Sequence, residues 1–375
     1  LANPLIFMIR HRFSTLIFIA LFSYLASGNA TKTPGKGLRK NTPNQTRQAK
    51  LPEQGARPYA QRPDVMAQAA DMAERRGLPP HWTAETMGQA RHLPNVAKLM
   101  LPPPAGQKKD WGLYRSRFID PIRIGAGIKF WQANASTLAR AEQVYGVPPE
   151  IVVGIIGVET IYGRQTGMFR VMDALATLAF DFPAGHPRAV ARQAFFRDEL
   201  EQFLSLMHRG GGEPFSVRGS YAGAIGMPQF MPSSIAKHAV DFDEDGKIDL
   251  THSAADVIGS VANYFKAYGW TSGAPTHFEV QFDPASVDMD ALLAPDILPT
   301  FSTATIEKLG ARLGEAGKAH PGKLALIELQ MGAQPAKYVV GTENFYTITR
   351  YNWSSYYAMA VIELGQAVAS EVRDQ

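Results

Sequence analysis

The chain has 375 residues, 45% hydrophobic and 19% charged, with a formal net charge of +4. That is apolar material enough for one large or two to three modest domains. The positive charge is too slight to suggest nucleic acid as a partner, although it suits an anionic polymer. With no cysteine in the sequence, disulfides and thiolate zinc sites are excluded, and no residue is available for a lipid on an N-terminal cysteine.

Residues 1–30 read as a signal peptide, with an uncleaved N-terminal membrane anchor as the alternative. Arg10, His11 and Arg12 form a basic start, Leu16 to Leu25 an apolar stretch shorter than a membrane span, and small residues follow to Ala30. Residues 31–60 are rich in Lys, Arg, Pro, Gln and Thr and are expected to form a flexible linker, since they cannot bury enough surface to offset ordering. The expected mature protein is soluble and exported.

Residues 61–275 read as helical. Apolar residues recur at three-to-four spacing over Val65–Arg76, Met87–Leu101 and Ile128–Tyr145, interrupted by proline clusters at 79–80 and 102–104. Pro148 and Pro149 open a helix over 149–162 that is apolar on nearly every face and therefore buried. Further helices fit 171–180, 189–208 and 254–268. Residues 276–348 change texture to a small β-rich unit, with strands at His277–Phe282, Leu324–Gln330, Lys337–Val340 and Asn344–Ile348. A segment from 349 to 375 closes the chain with a helix over Tyr356–Val372. The fold class is mainly α, of the α+β kind.

Glu159 is the only charged side chain from Ile151 to Gly163. On a helix its neighbours are Ile155, Ile156, Tyr162 and Gly163. Desolvation there disfavours the carboxylate, and a carboxyl that keeps its proton near neutrality can donate it to a glycosidic oxygen. A structurally hydrogen-bonded glutamate, or one turned to solvent at the helix end, fits the spacing equally well. Glycoside hydrolysis ordinarily needs a second carboxylate. Asp173 and Asp181 are the nearest candidates, neither compelling, and a missing partner suits intramolecular attack better than hydrolysis.

The stretch Gly219–Ser234 combines small residues, which let backbone approach a ligand, with the amide of Gln229 and the ring of Phe230. A tight packing loop is the alternative. Asp241, Asp243, Asp245, Lys247 (through its carbonyl) and Asp249 match positions 1, 3, 5, 7 and 9 of an EF-hand loop, with Gly246 at position 6. His252 stands where a bidentate glutamate belongs, and Asp256 is expected to close the site instead. An all-protein oxygen cage suits Ca²⁺ better than Mg²⁺, and an acidic solvated turn is the bland alternative. No catalytic cofactor is expected.

Taken in order, Trp111–Arg115, Tyr145–Glu150, Gly157–Gly163, Asp173–Leu178, Ser220–Ser234, the aspartate loop, Gly259–Phe265 and Thr349–Asn352 resemble the membrane-bound lytic murein transglycosylase B family. The resemblance covers roughly 62–372. It implies a lysozyme-like core with an added helical domain, acting in the periplasm on the glycan strands of peptidoglycan. Glu159 would then protonate the bond between N-acetylmuramic acid and N-acetylglucosamine and, as base, direct the C6 hydroxyl onto C1 to leave a 1,6-anhydro end. Ser220, Gln229, Phe230, Tyr264, Tyr351, Asn352 and Tyr357 would line the groove, and Tyr114 and Arg192 would contact saccharide or stem peptide. The calcium loop would be structural. A hydrolytic muramidase and an inactive peptidoglycan-binding protein are the competing readings. Wall-synthesis enzymes are the protein partners such a role invites, but no segment specifies one.

Overall fold

The computed structural model describes residues 58–102, 109–283 and 285–374. The expected signal peptide and nearly all of the expected linker lie outside the described residues. Proline sets many helix starts, because its missing N–H removes nothing from a first turn that lacks intrahelical partners. In this way α1 (Pro63–Arg76), α2 (Pro80–Gln89) and α3 (Pro94–Leu99) succeed one another. After α4 (Trp111–Arg115) come α5 (Pro121–Ala133), α6 (Ala135–Tyr145) and α7 (Pro149–Thr160). The helical runs expected at Met87–Leu101 and Ile128–Tyr145 are thus each two helices. Pro94 divides the first, and Asn134 divides the second.

A short antiparallel pair, β1 (Phe169–Arg170) with β2 (Arg218–Gly219), flanks α8 (Val171–Phe180) and α9 (Ala189–Arg209). These helices pack on α1 and α2 around Met72, Met87, Leu175, Phe196 and Leu200. The linker boundary drawn at 60 is corrected here. Tyr59 is only 1% exposed and its hydroxyl donates to the Asp181 carboxylate at 2.7 Å. One ring with a partnered hydroxyl is enough to hold this segment on the core, despite its polar neighbours.

α10 (Pro232–His238) and α11 (Ala254–Ala267) follow, the latter capped by Ser253. Then comes a four-stranded antiparallel sheet of β3 (His277–Phe282), β4 (Ala311–Leu313), β5 (Ala325–Met331) and β6 (Gln334–Gly341), in the order β4-β3-β6-β5. With α12 (Met289–Leu293), α13 (Thr303–Lys308) and α14 (Glu315–Lys318) it encloses its own small core of Leu292, Ile306, Leu326 and Val340. The strand expected at Asn344–Ile348 is instead α15 (Glu343–Thr349). Its aromatic and β-branched residues favour a strand locally, but Phe345, Ile348 and Thr349 fall on one buried helical face, and Thr342 caps the start.

α16 (Ser355–Arg373) ends the described chain and lies against α7. Two glycines set the distance of approach. A Cβ on Gly154 would sit 2.2 Å from the Val361 carbonyl oxygen, and one on Gly365 would sit 1.9 Å from that of Glu150. The backbones therefore touch, with every residue from Ile151 to Thr160 buried. This contact brings the residues around Tyr351–Tyr357 to the end of α7. Among the described residues no helix is long and apolar enough to cross a membrane.

Candidate active site

α7 stops one residue after Glu159. Ile161 and Tyr162 turn left-handed, with φ of 52° and 55°, so the helix expected to reach 162 ends at Thr160. Glu159 is 3% exposed. Its Oε1 accepts a 2.6 Å hydrogen bond from the Tyr357 hydroxyl, while Oε2 is buried with no hydrogen-bond partner among the described residues. Burial pushes the carboxyl pKa up to about 8, against the opposing effect of the Tyr357 bond, which favours the ionised form. Its burial thus favours the protonated acid, and one of its oxygens has no hydrogen-bond partner among the described residues.

Aromatic side chains build the surroundings. The Tyr351 ring stacks beside that of Tyr357 at 6.4 Å, and Tyr264 lies 4.9 Å from Tyr351. Phe230 packs on both Tyr264 and Tyr351. Two hydroxyls are committed to backbone, Tyr264 to the Arg350 carbonyl at 2.7 Å and Tyr351 to that of Pro228 at 2.5 Å. Asn352 is 7% exposed and its Oδ1 has no hydrogen-bond partner among the described residues. Tyr114 stands against the rings of Trp111 and Tyr356. Burial, and then the charge of Glu159, raise its pKa, which places it within electrostatic reach of the carboxyl.

Other expected site residues have different parts. The amide of Gln229, at a left-handed φ of 53°, points back into its own loop and donates to the carbonyls of Thr166 and Gly226 at 3.0 and 2.9 Å. The Ser220 hydroxyl accepts from the N–H groups of Ala222 and Ala224, shaping a turn. Arg192 lies on α9, where burial and then Arg188 lower its pKa and Tyr221 opposes them. Asp173 and Asp181 are both engaged away from Glu159, by Arg170 and the Arg91 N–H in one case and by Tyr59 and Arg62 in the other. Neither candidate second carboxylate serves the site. Sequence reasoning passed over Thr160, whose hydroxyl donates to the Met227 carbonyl at 2.8 Å; a threonine beside a helix end gives no periodic signal.

In the acidic loop, Asp241, Asp243 and Asp245 bring carboxylate oxygens within 4.8 Å of one another. Gly246, at φ 87°, supplies the sharp turn, and its N–H donates to Asp241. Such a convergence of exposed carboxylates is a fitting cage for a hard dication. The Lys247 N–H donates to Asp245, folding the seventh position into the same turn. Asp249 accepts from the N–H groups of Thr251 and His252, and His252 Nδ1 lies 3.0 Å from its other oxygen. Asp256, expected to close the cage, lies outside this convergence of three carboxylates. It is 1% exposed, and its two oxygens accept from the N–H groups of Phe242 and Asp249, both at 2.7 Å. At the start of α11 it buckles the two ends of the loop together.

The mainly helical body has the fold of the lysozyme-like lytic transglycosylases. Residues 61–366 match the family model for the transglycosylase SLT domain. The chain is 41% identical over 322 residues to membrane-bound lytic murein transglycosylase B of Escherichia coli K12, covering 83% of this chain and 84% of that protein. The crystal structure of soluble lytic transglycosylase SltB1 from Pseudomonas aeruginosa is similar, with a TM-score of 0.74 and 40% identity over 84% of this chain and 100% of that one. Slt35 of Escherichia coli, solved in complexes with calcium and with bulgecin A, has a TM-score of 0.74 and 40% identity over 84% and 96% of the respective chains. The chain belongs to this family and is a lytic murein transglycosylase.

Proposed function

We propose that Glu159 performs both proton transfers in cleavage of the β-1,4 bond between N-acetylmuramic acid and N-acetylglucosamine in peptidoglycan. Its carboxyl gives a proton to the leaving O4 as the C1–O4 bond breaks. The resulting carboxylate takes the proton of the muramoyl C6 hydroxyl as O6 bonds to C1. Atoms balance without water, and the product carries a 1,6-anhydro ring. The substrate's own N-acetyl oxygen stabilises the positive charge at C1 between the two steps.

The observation that supports this reading best is the buried Glu159, its pKa raised by that burial, with Oε2 unpartnered among the described residues and Oε1 bonded to Tyr357. The hydroxyl of Tyr357 steadies the carboxylate between the transfers. A nucleophile supplied by the substrate needs no second carboxylate, in keeping with the engagement of Asp173 and Asp181 elsewhere. Tyr114, Ser220, Gln229, Phe230, Tyr264, Tyr351 and Asn352 line the groove in this reading. Gln229 and Ser220 do so chiefly through the loop backbone they shape, and Arg192 contacts saccharide or stem peptide. Asp241, Asp243, Asp245, the Lys247 carbonyl and Asp249 would hold a structural Ca²⁺, as the calcium complex of the related Slt35 suggests. The enzyme would work in the periplasm, where its polymer is.

Mass spectrometry of digested peptidoglycan tests the chemistry. Products lacking one water relative to hydrolytic muropeptides are expected. Products that have taken up that water would make the protein a muramidase, and binding without product would make it a wall-binding protein.

A further inference from the structure

Three consecutive carbonyls in the loop after Ile225 each accept a side-chain hydrogen bond. Gln229 Nε2 holds Gly226 at 2.9 Å, Thr160 Oγ1 holds Met227 at 2.8 Å, and the Tyr351 hydroxyl holds Pro228 at 2.5 Å. Of these donors, Thr160 is the residue that follows Glu159. It is fully buried. A threonine hydroxyl within a helix ordinarily bonds back to its own i−4 carbonyl. Here that contact, to Ile156, is 3.4 Å, and the shorter bond leaves the helix for the loop.

The same oxygen accepts from the Gly163 N–H at 3.0 Å, closing the turn in which Ile161, Tyr162 and Gly163 are all left-handed. Non-glycine residues stay in that region only where their surroundings over-determine them. Tyr162 is wedged where Gly127 and Gly157 leave room, and a Cβ on either would lie 2.4 or 2.5 Å from its hydroxyl oxygen. From the other side Gln229 returns the tie, donating to Thr166 at 3.0 Å. The end of α7 and the groove loop are thus laced together, with the Thr160 hydroxyl as the link that directly follows Glu159 in the chain.

We infer that Thr160 is a positioning residue for the transglycosylation. Its hydroxyl fastens the end of α7 to the Met227 carbonyl and so fixes the depth and direction of the Glu159 carboxyl between Tyr357 and the bound glycan. The inference rests on Glu159 being the acid/base. The ionisable groups that feel the charge of that carboxyl are Tyr114 from α4, Tyr351 from the turn after α15, and Tyr357 from α16. All three are held protonated by burial. The proton affinity of Glu159 therefore depends on solvent exclusion and on the Tyr357 contact, and both follow the position of the helix end.

The test compares Thr160→Val, which keeps shape and deletes the donor, with Thr160→Ser, which keeps the donor. On purified peptidoglycan T160V should lose about 10- to 100-fold in kcat with KM within about threefold, the scale of an ångström-level misplacement. The alkaline limb of its kcat–pH profile should move to lower pH as water reaches the carboxyl, and T160S should restore both readouts. If T160V does not fold, Thr160→Cys, a weaker donor of similar size, should show the same changes in smaller measure. A folded T160V, or T160C, with wild-type kcat and pH limb overturns the inference, whatever its melting temperature, and so does a T160S as impaired as T160V. Glu159→Gln run alongside separates the failures. Turnover surviving there overturns the acid/base reading and this inference with it, whereas an inactive E159Q beside a wild-type-like T160V overturns only the positioning role.

Discussion

The Tyr357 hydroxyl donates to Oε1 of Glu159 across 2.6 Å although 198 residues separate them in the chain. The bond exists because α16 lies backbone to backbone on α7, at a distance that Gly154 and Gly365 permit. It gives the buried acid a partner for its ionised form without adding a charge to the groove. The chemistry proposed for the site depends on this pairing more than on any other contact.

Glu159→Gln keeps the shape of the side chain and removes its proton. Turnover should fall to background while the protein gains stability above about pH 5. The sign follows from linkage. The folded-state pKa of about 8 exceeds the reference value of 4.5, so the folded state retains a proton that the unfolded state releases between those values. Stability is therefore lost as pH rises through that window, by up to a few kcal/mol at about 1.4 kcal/mol per unit. Thermal unfolding of both proteins at pH 5 and pH 8 checks this: the gap in favour of E159Q should widen at pH 8. An equal or narrower gap there would mean that Glu159 is ionised in the native state.

Tyr357→Phe deletes the hydroxyl and leaves the ring. Because that hydrogen bond favours the carboxylate, its loss should raise the Glu159 pKa further and move the alkaline limb of the kcat profile upward in pH. The rate should drop by roughly tenfold or more, the scale of a lost bond to a charged group. The shift is opposite in direction to the one expected for T160V. A Y357F profile that moved downward would show that the hydroxyl serves the protonated acid instead.

Gly154→Ala places a methyl 2.2 Å from the Val361 carbonyl oxygen, so α7 and α16 must separate. Overpacking of this kind typically costs about 1–3 kcal/mol. Since Tyr357 rides on α16, kcat should decline with the melting temperature. Full activity in a destabilised G154A enzyme would show that the helix separation leaves the Glu159–Tyr357 pair intact.

The acidic loop is expected to separate into a Ca²⁺ cage and a structural tie. Asp243→Asn should abolish any rise in melting temperature on adding Ca²⁺ and leave the calcium-free protein nearly unchanged. Asp256→Ala should destabilise the protein with or without Ca²⁺, by about 1–3 kcal/mol for each N–H left unsatisfied, because it strips the partners of Phe242 and Asp249. Calorimetric melting in Ca²⁺ and in chelator distinguishes them. If D256A were rescued by saturating Ca²⁺, the residue would belong with the ligands after all.

Some of this was legible in the residues alone. An uninterrupted apolar run opened by Pro149 reads as a buried helix, because local periodicity carries that much. Spacing leaves a lone glutamate near its end either desolvated or turned to solvent, and the structure finds it 3% exposed. The aspartate spacing likewise defines the cage without reference to the rest of the chain. Where local and tertiary preferences conflict, sequence misleads. Asn344–Ile348 has the composition of a strand, yet one helical face of it finds a core to fill. Asp256 sits at a plausible ligand distance along the chain, yet two loop N–H groups claim it.

Legible from the sequence by itself were the helical character of the body, the buried run that carries Glu159 and the oxygen-ligand spacing of the acidic loop. These are properties of contiguous residues, governed by hydrophobic period and ligand type. Only the tertiary structure decided which hydroxyl meets Glu159, where Asp173 and Asp181 are engaged, and how Thr160 reaches Met227. Those contacts join segments far apart in the chain, and the close packing of α7, α16 and the groove loop selects among side chains that the sequence leaves equivalent.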